Sequence, residues 1–116
     1  MIQKLKIPVL LFFLVSFTGC NDYYYQADLL VTVKGLLSGN PREGLAVQIF
    51  ETRDDAEMLR YALTPVVYTD EFGEVLVYGL EPRYEYYIRV DALLITKIKG
   101  TGRLRDGANT CVVRIL

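Results

Sequence analysis

Histidine and tryptophan are absent from this 116-residue chain, and cysteine occurs only twice, as Cys20 and Cys111. Without histidine, the commonest general base at neutral pH and the commonest zinc ligand are both missing. Two cysteines alone do not fill a four-coordinate zinc site, so imidazole-dependent hydrolysis and zinc chemistry are both disfavoured. An excess of positive charge is lacking too. Lys4 and Lys6 are the only charges in the first 19 residues; without them the 13 basic residues fall to 11, against 14 acidic ones, a net charge of −3. That balance offers no basic footprint for nucleic acid. The chain has no internal repeat and no low-complexity segment, and its length supports one compact domain.

What is present begins with "MIQKLKIPVLLFFLVSFTGC". A short basic region precedes an apolar run from Ile7 to Phe17, and small residues, Thr18 and Gly19, stand before Cys20. The run is shorter than the roughly 20 residues that span a bilayer, so it reads as a secretory signal. Phe17-Thr18-Gly19-Cys20 resembles the lipobox of bacterial lipoproteins, with Phe17 in place of the commoner leucine. That resemblance implies a signal peptide over residues 1–19, removed before Cys20, and a diacylglycerol thioether on the Cys20 sulfur, with acylation of the new amine. Residues 20–26 then form a tether. Its tyrosines, Tyr23 to Tyr25, either lie at the headgroup level or pack on the domain edge. The expected location is the bacterial cell envelope, lipid-anchored, most simply at the outer membrane on its periplasmic or surface face.

From Ala27 to the end, short alternating runs are separated by turn residues, the pattern of an all-β fold. In "ADLLVTVKGLL", Leu29, Val31 and Val33 share the core face; in "LAVQIFET", Val47 and Ile49 do. "RDDAEMLRYAL" predicts one short helix across a sandwich edge, capped by Asp54 with Glu57 completing a capping box, and closed by Pro65. "VVYTDEFGEVLVYGL" reads as two strands around the loop Asp70 to Gly73, with Gly73 taking the positive φ of a hairpin. Tyr86, Ile88 and Val90 alternate inward, "LLITKIKG" continues the sheet, and Cys111, Val113 and Ile115 close the core. Cys111 is thus expected to be a small buried hydrophobe. Seven strands fit a sandwich.

Taken together, "VKGLLSGNPREGLAVQIFET", "YTDEFGEVLVYGLEPRYEYYIRVDA" and the closing strand resemble the transthyretin-like, or prealbumin-like, sandwich of carboxypeptidase regulatory domains and bacterial surface lipoproteins. The resemblance spans residues 29–116 and rests on Thr69-Asp70, Gly73, Leu80, Pro82 and the aromatic strand Tyr86 to Val90. It implies a seven-stranded antiparallel Greek-key sandwich with one short helix, a scaffold and not a chemistry. Transthyretin-like hydrolases that open purine-derived rings rely on histidines, and this chain has none. Relatives with an internal Lys-to-Asn isopeptide bond place a buried acid on the aromatic strand. Here Lys34 and Asn109 are the candidate pair, but Lys34 is out of phase with the core and Val90 stands where the acid belongs, so no crosslink is expected.

The acids at Asp54, Asp55 and Glu57 and at Asp70, Glu71 and Glu74 lack the spacing and glycine of a calcium loop, and read as caps and turns. No catalytic or metal-binding residues, and no cofactor beyond the Cys20 lipid, are expected. Tyr68, Tyr78 and Tyr87 point outward on strands read as neighbours and form the candidate binding face. The function expected is a non-enzymatic envelope binding or assembly module with a protein partner, or else a carbohydrate-binding accessory lipoprotein in glycan uptake. A coplanar tyrosine trio favours the glycan; an apolar patch or free sheet edge favours the protein.

Overall fold

The computed structural model describes residues 26–116, so Cys20 and the tether through Tyr25 lie outside the described residues. Seven strands and one helix follow in the order β1 (Ala27–Gly35), β2 (Ala46–Phe50), α1 (Arg53–Met58), β3 (Val67–Tyr68), β4 (Glu74–Leu80), β5 (Glu85–Asp91), β6 (Thr96–Arg103) and β7 (Gly107–Ile115). One sheet has the order β4-β1-β7 and the other β3-β2-β5-β6. Between them the inward-facing residues of β1, β2, β4, β5 and β7 interleave. Leu29, Val31 and Val33 pack with Val47, Ile49, Ile88, Val90 and Val113 in one apolar cluster. The alternation read from β1, β2, β5 and β7 is the alternation observed.

Five features depart from the sequence reading. The sandwich is not wholly antiparallel: β1 pairs with β7 in parallel, Val31 opposite Cys111 and Val33 opposite Val113. These are the first and last strands, so the whole intervening chain serves as the crossover that a parallel pair requires. Next, β3 and β4 do not form a hairpin. β3 pairs with β2 and β4 with β1, so the loop from Asp70 to Gly73 carries the chain from one sheet to the other.

The helix is capped two residues earlier than expected. Thr52, not Asp54, accepts the Asp55 N–H at 3.0 Å, and Asp54 sits instead in the first turn, where a carboxylate favours the helix dipole. Nor does the helix cross a sandwich edge; it lies on the outer face of the second sheet, against β2, β5 and β6. Two residues hold it there. Phe50, on the outward phase of β2, is fully buried together with Ala56 of the helix. Arg89 on β5 donates to the Ala56 carbonyl at 2.7 Å, neutralising an orphan acceptor of the last turn. Finally, Leu93 and Leu94 are not part of β6, which starts at Thr96; they belong to the β5–β6 loop.

The sheet crossing at Gly73 is held tightly. Asp70 Oδ1 accepts the N–H groups of Phe72 and Glu74, both at 2.9 Å, and the Gly73 carbonyl accepts the Val33 N–H at 2.7 Å. Thr69, buried beside them, donates to the Arg42 carbonyl and accepts the Leu45 N–H, tying the β1–β2 loop to the crossing. Gly73 has φ +73°, and a Cβ there would stand 2.5 Å from the Val33 carbonyl oxygen and 3.0 Å from the Arg42 nitrogen. Gly79 has a similar φ of +77° but nothing within 4 Å. Gly73→Ala is accordingly expected to destabilise by about 2–3 kcal/mol and Gly79→Ala by only about 1 kcal/mol. Urea titration of the two variants measures the difference, and equal midpoints would refute the steric account.

Asn109 and Lys34 are far apart. In the β1–β7 register Asn109 stands opposite Leu29 and Lys34 opposite Arg114, five residues further along, or about 17 Å. The Asn109 amide is already engaged, donating to the Asp28, Arg105 and Gly107 carbonyls and accepting the Arg105 N–H.

Candidate binding surfaces

The structure does not bring the three candidate tyrosines onto one face. Tyr78 lies on β4 in the first sheet, Tyr68 and Tyr87 on β3 and β5 in the second. Within the second sheet, Tyr68 is level with Ala46 and Asp91, whereas Tyr87 is level with Phe50, four residues or about 13 Å further down β5. Tyr87 is half-buried, with the Arg53 guanidinium 5.6 Å above its ring centroid. Tyr68 and Tyr78 are 64% and 68% exposed. The crossing at Asp70 to Gly73 puts Tyr78 in the other sheet, where a hairpin of β3 and β4 would keep it beside Tyr68, and the four-residue offset along β5 parts Tyr68 from Tyr87. Tyr86 is core, as expected, and its hydroxyl accepts the Glu81 N–H at 2.9 Å.

Tyr78 lines a groove of about 310 Å3 between the edges of the two sheets. Leu76 and Tyr78 of β4 form one wall, Thr64, Pro65 and Val67 the other, and the core residues Val47 and Ile49 the floor. The opening has a sequence cause. Pro65 has no N–H to donate to a ladder, and β3 is only two residues long. The rest of the β2 edge is satisfied from the connecting segment: Leu63 N–H donates to the Ile49 carbonyl at 2.8 Å and Thr64 Oγ1 accepts the Ile49 N–H at 3.2 Å. Among the described residues no further strand covers the gap toward β4.

A second surface is the end of the sandwich opposite the point where the chain enters at Ala27. There the β1–β2 loop presents Leu37 and the β5–β6 loop presents Leu93 and Leu94, which are 89%, 94% and 90% exposed. Leu116 and Arg42 touch the shallow hollows beneath both loops, so the leucines belong to one continuous tip. The Arg42 guanidinium donates to the Leu116 carbonyl at 3.0 Å. Sequence reasoning missed this tip, because "LLITKIKG" read as strand; the exposed pair ahead of Thr96 was the available signal.

Arg89 and Asp91 serve structure. Arg89 Nε bonds both Asp91 oxygens, at 3.2 and 3.0 Å, and Thr96 donates to the same carboxylate at 2.6 Å. Burial raises the Asp91 pKa, but those hydrogen bonds and the Arg89 charge outweigh it and hold the carboxyl below its ordinary range. Cys111 is a buried thiol, pushed up by burial against the opposing pull of Lys99. Among the described residues no group of three histidine, cysteine, aspartate or glutamate side chains is placed to hold a metal ion. No helix among them is long and apolar enough to cross a membrane.

The fold is similar to those of proteins of known structure. A protein from Bacteroides uniformis, provisionally described as carbohydrate-binding, matches with a TM-score of 0.54 at 12% identity, over 77% of this chain and 40% of its own. The fold is a β-sandwich. The dioxygenase domain of a dioxygenase and carbohydrate-binding fusion from Streptomyces sp. SirexAA-E matches at TM-score 0.52 and 12% identity, over 79% of this chain and 81% of its own. The chain thus spans about two-fifths of the first neighbour and most of the second, and at these identities the likeness is one of fold alone. No family model and no curated protein matches the sequence.

Proposed function

We propose that this sandwich is a non-enzymatic binding or assembly module of a bacterial cell envelope, transthyretin-like in fold, held at the membrane by a lipid on Cys20, and that its partner is a protein. The observation that carries the reading is the leucine tip. Large apolar side chains exposed together on two loops are rare on a monomer and mark interaction surfaces. The groove beside Tyr78, with its apolar walls, adds a second place for an apolar segment. The lack of histidine and the engagement of Arg89 and Asp91 with each other support a binding role over catalysis.

Chemical crosslinking of intact cells tests the reading. The wild-type chain is expected to give a discrete band above the monomer, and Leu93→Asp/Leu94→Asp is expected to remove it. Both side chains face solvent, so the variant should change stability by less than about 1 kcal/mol. A wild-type chain that stays monomeric, or a band that survives the double variant, would overturn the assignment of the tip.

A second reading, carbohydrate recognition, is supported by the name of the Bacteroides neighbour and by the β-sandwich shared with it. The dispersed tyrosines weigh against a flat stacking platform. A glycan would have to be held by some other part of the surface.

A further inference from the structure

Such a part exists at the edge opposite the Tyr78 groove. The outer strand of the four-stranded sheet, β6, and the outer strand of the three-stranded sheet, β7, bound a cleft of about 510 Å3. Lys97 and Lys99 are on the core-facing phase of β6, opposite Val90 and Ile88. Both are nevertheless exposed, because the sheet facing them is one strand narrower. Arg114 on β7 and Arg53 at the start of α1 line the same cleft. Four of the chain's 13 basic residues are thereby gathered in one place, and none of its 14 acidic residues is among the lining residues. Glu85 lies beside the floor, against Gly100.

None of these four cations has an ion-pair partner among the described residues; the pairs there are Arg60–Asp55, Arg83–Asp106 and Arg89–Asp91. Lys99 donates to the Val112 carbonyl at 2.8 Å, which fixes its ammonium at the cleft wall. Arg53 is held over the Tyr87 ring. Gathering unpaired like charges is unfavourable unless an anion offsets the repulsion, and a cleft focuses their field on whatever enters.

We propose that this cleft binds an anionic polysaccharide bearing carboxylate or sulfate groups on its sugar rings, a proposal that rests on the carbohydrate reading above. Residues two apart on a strand, such as Lys97 and Lys99, stand about 7 Å apart, so the charges form an array suited to a repeating anion more than to one small ion. Ile98 and Val112 supply apolar wall between the charges, against which a sugar face packs. Nucleic acid is the less favoured polyanion: duplex DNA carries a charge every ~1.7 Å of axis, too dense for four cations on an otherwise acidic chain. An acidic peptide would enter as an added strand on β7, where Lys99 already occupies the Val112 carbonyl.

The test is binding of the full-length protein, in detergent, to polygalacturonate and chondroitin sulfate, with dextran, a DNA duplex and polyglutamate as comparisons. Binding to an anionic polysaccharide is expected, weakened about ten-fold or more by Lys97→Glu/Arg114→Glu and by raising salt from about 50 to about 500 mM. Lys97→Gln/Arg114→Gln, run alongside, is expected to weaken binding less than the charge reversal, with an unchanged melting temperature. Equal binding to dextran, or anionic binding that neither variant weakens, would overturn the cleft and leave the carbohydrate reading standing. Binding to no glycan at all would overturn both. Binding of DNA or polyglutamate alone would show that the cleft serves another polyanion and overturn the glycan assignment.

Discussion

Replacing Cys20 with serine is expected to abolish incorporation of radiolabelled fatty acid completely and to release the protein from the membrane fraction. The sulfur is the nucleophile that would receive the diacylglycerol, and a serine hydroxyl at that position does not substitute for it. Each buried acyl methylene contributes about 0.8 kcal/mol, and two or more chains give stable anchoring where one gives only marginal binding. No other residue can take over, since the remaining cysteine, Cys111, is 7% exposed inside the core with its thiol pKa raised. Cys20→Ser leaves the described domain untouched, so its melting temperature should not change. Label that persists in the variant would remove the lipid anchor from the proposal, while the binding surfaces would still await their own tests.

The largest effect on stability is expected from Phe50→Ala, a loss of about 3–5 kcal/mol. Phe50 is completely buried, yet it lies outside the main apolar cluster, on the opposite face of the second sheet. Its shelter is the helix, whose Ala56 is buried with it, so truncating the ring leaves a void between sheet and helix that a helix of less than two turns cannot close. Domains of this size are stable by about 5–15 kcal/mol, so the variant should lose a large fraction of its stability. Denaturant titration reads the loss, and amide exchange at Ala56 and Arg60, whose N–H groups bond Thr52 and Asp55, reads undocking of the helix. A loss below about 1 kcal/mol would show that the helix is not anchored through Phe50.

Local alternation was enough to predict the core faces of β1, β5 and β7, because each of these strands has one side, and only one, against the other sheet. It failed wherever a face was decided by something distant. Phe50 has an outward phase and is buried by a helix that arrives later in the chain. Lys97 and Lys99 have an inward phase and are exposed because the opposing sheet has only three strands. The parallel pairing of β1 with β7 joins the two ends of the domain, and no short-range pattern encodes it. A loop such as Asp70 to Gly73 closes a hairpin or crosses between sheets with the same turn residues. The crossing is what parted Tyr78 from Tyr68 and Tyr87, and strand register did the rest, so the candidate face depended on two features that turn chemistry leaves open. The leucine tip was hidden for a related reason: Leu93 and Leu94 run directly into the strand that follows, and what sets them apart is that no strand residue stands opposite them.

The chain enters the sandwich at Ala27 and the leucine tip lies at the far end of the same strand. Nine residues of β1 span about 30 Å, and the seven residues from Cys20 to Gln26 reach at most about 25 Å more. With β1 upright on the bilayer, a protein fastened at Cys20 would carry Leu37, Leu93 and Leu94 between about 30 and about 55 Å above it. In that posture the leucines stand clear of the anchoring membrane, and whatever docks on them approaches from the far side of the envelope space.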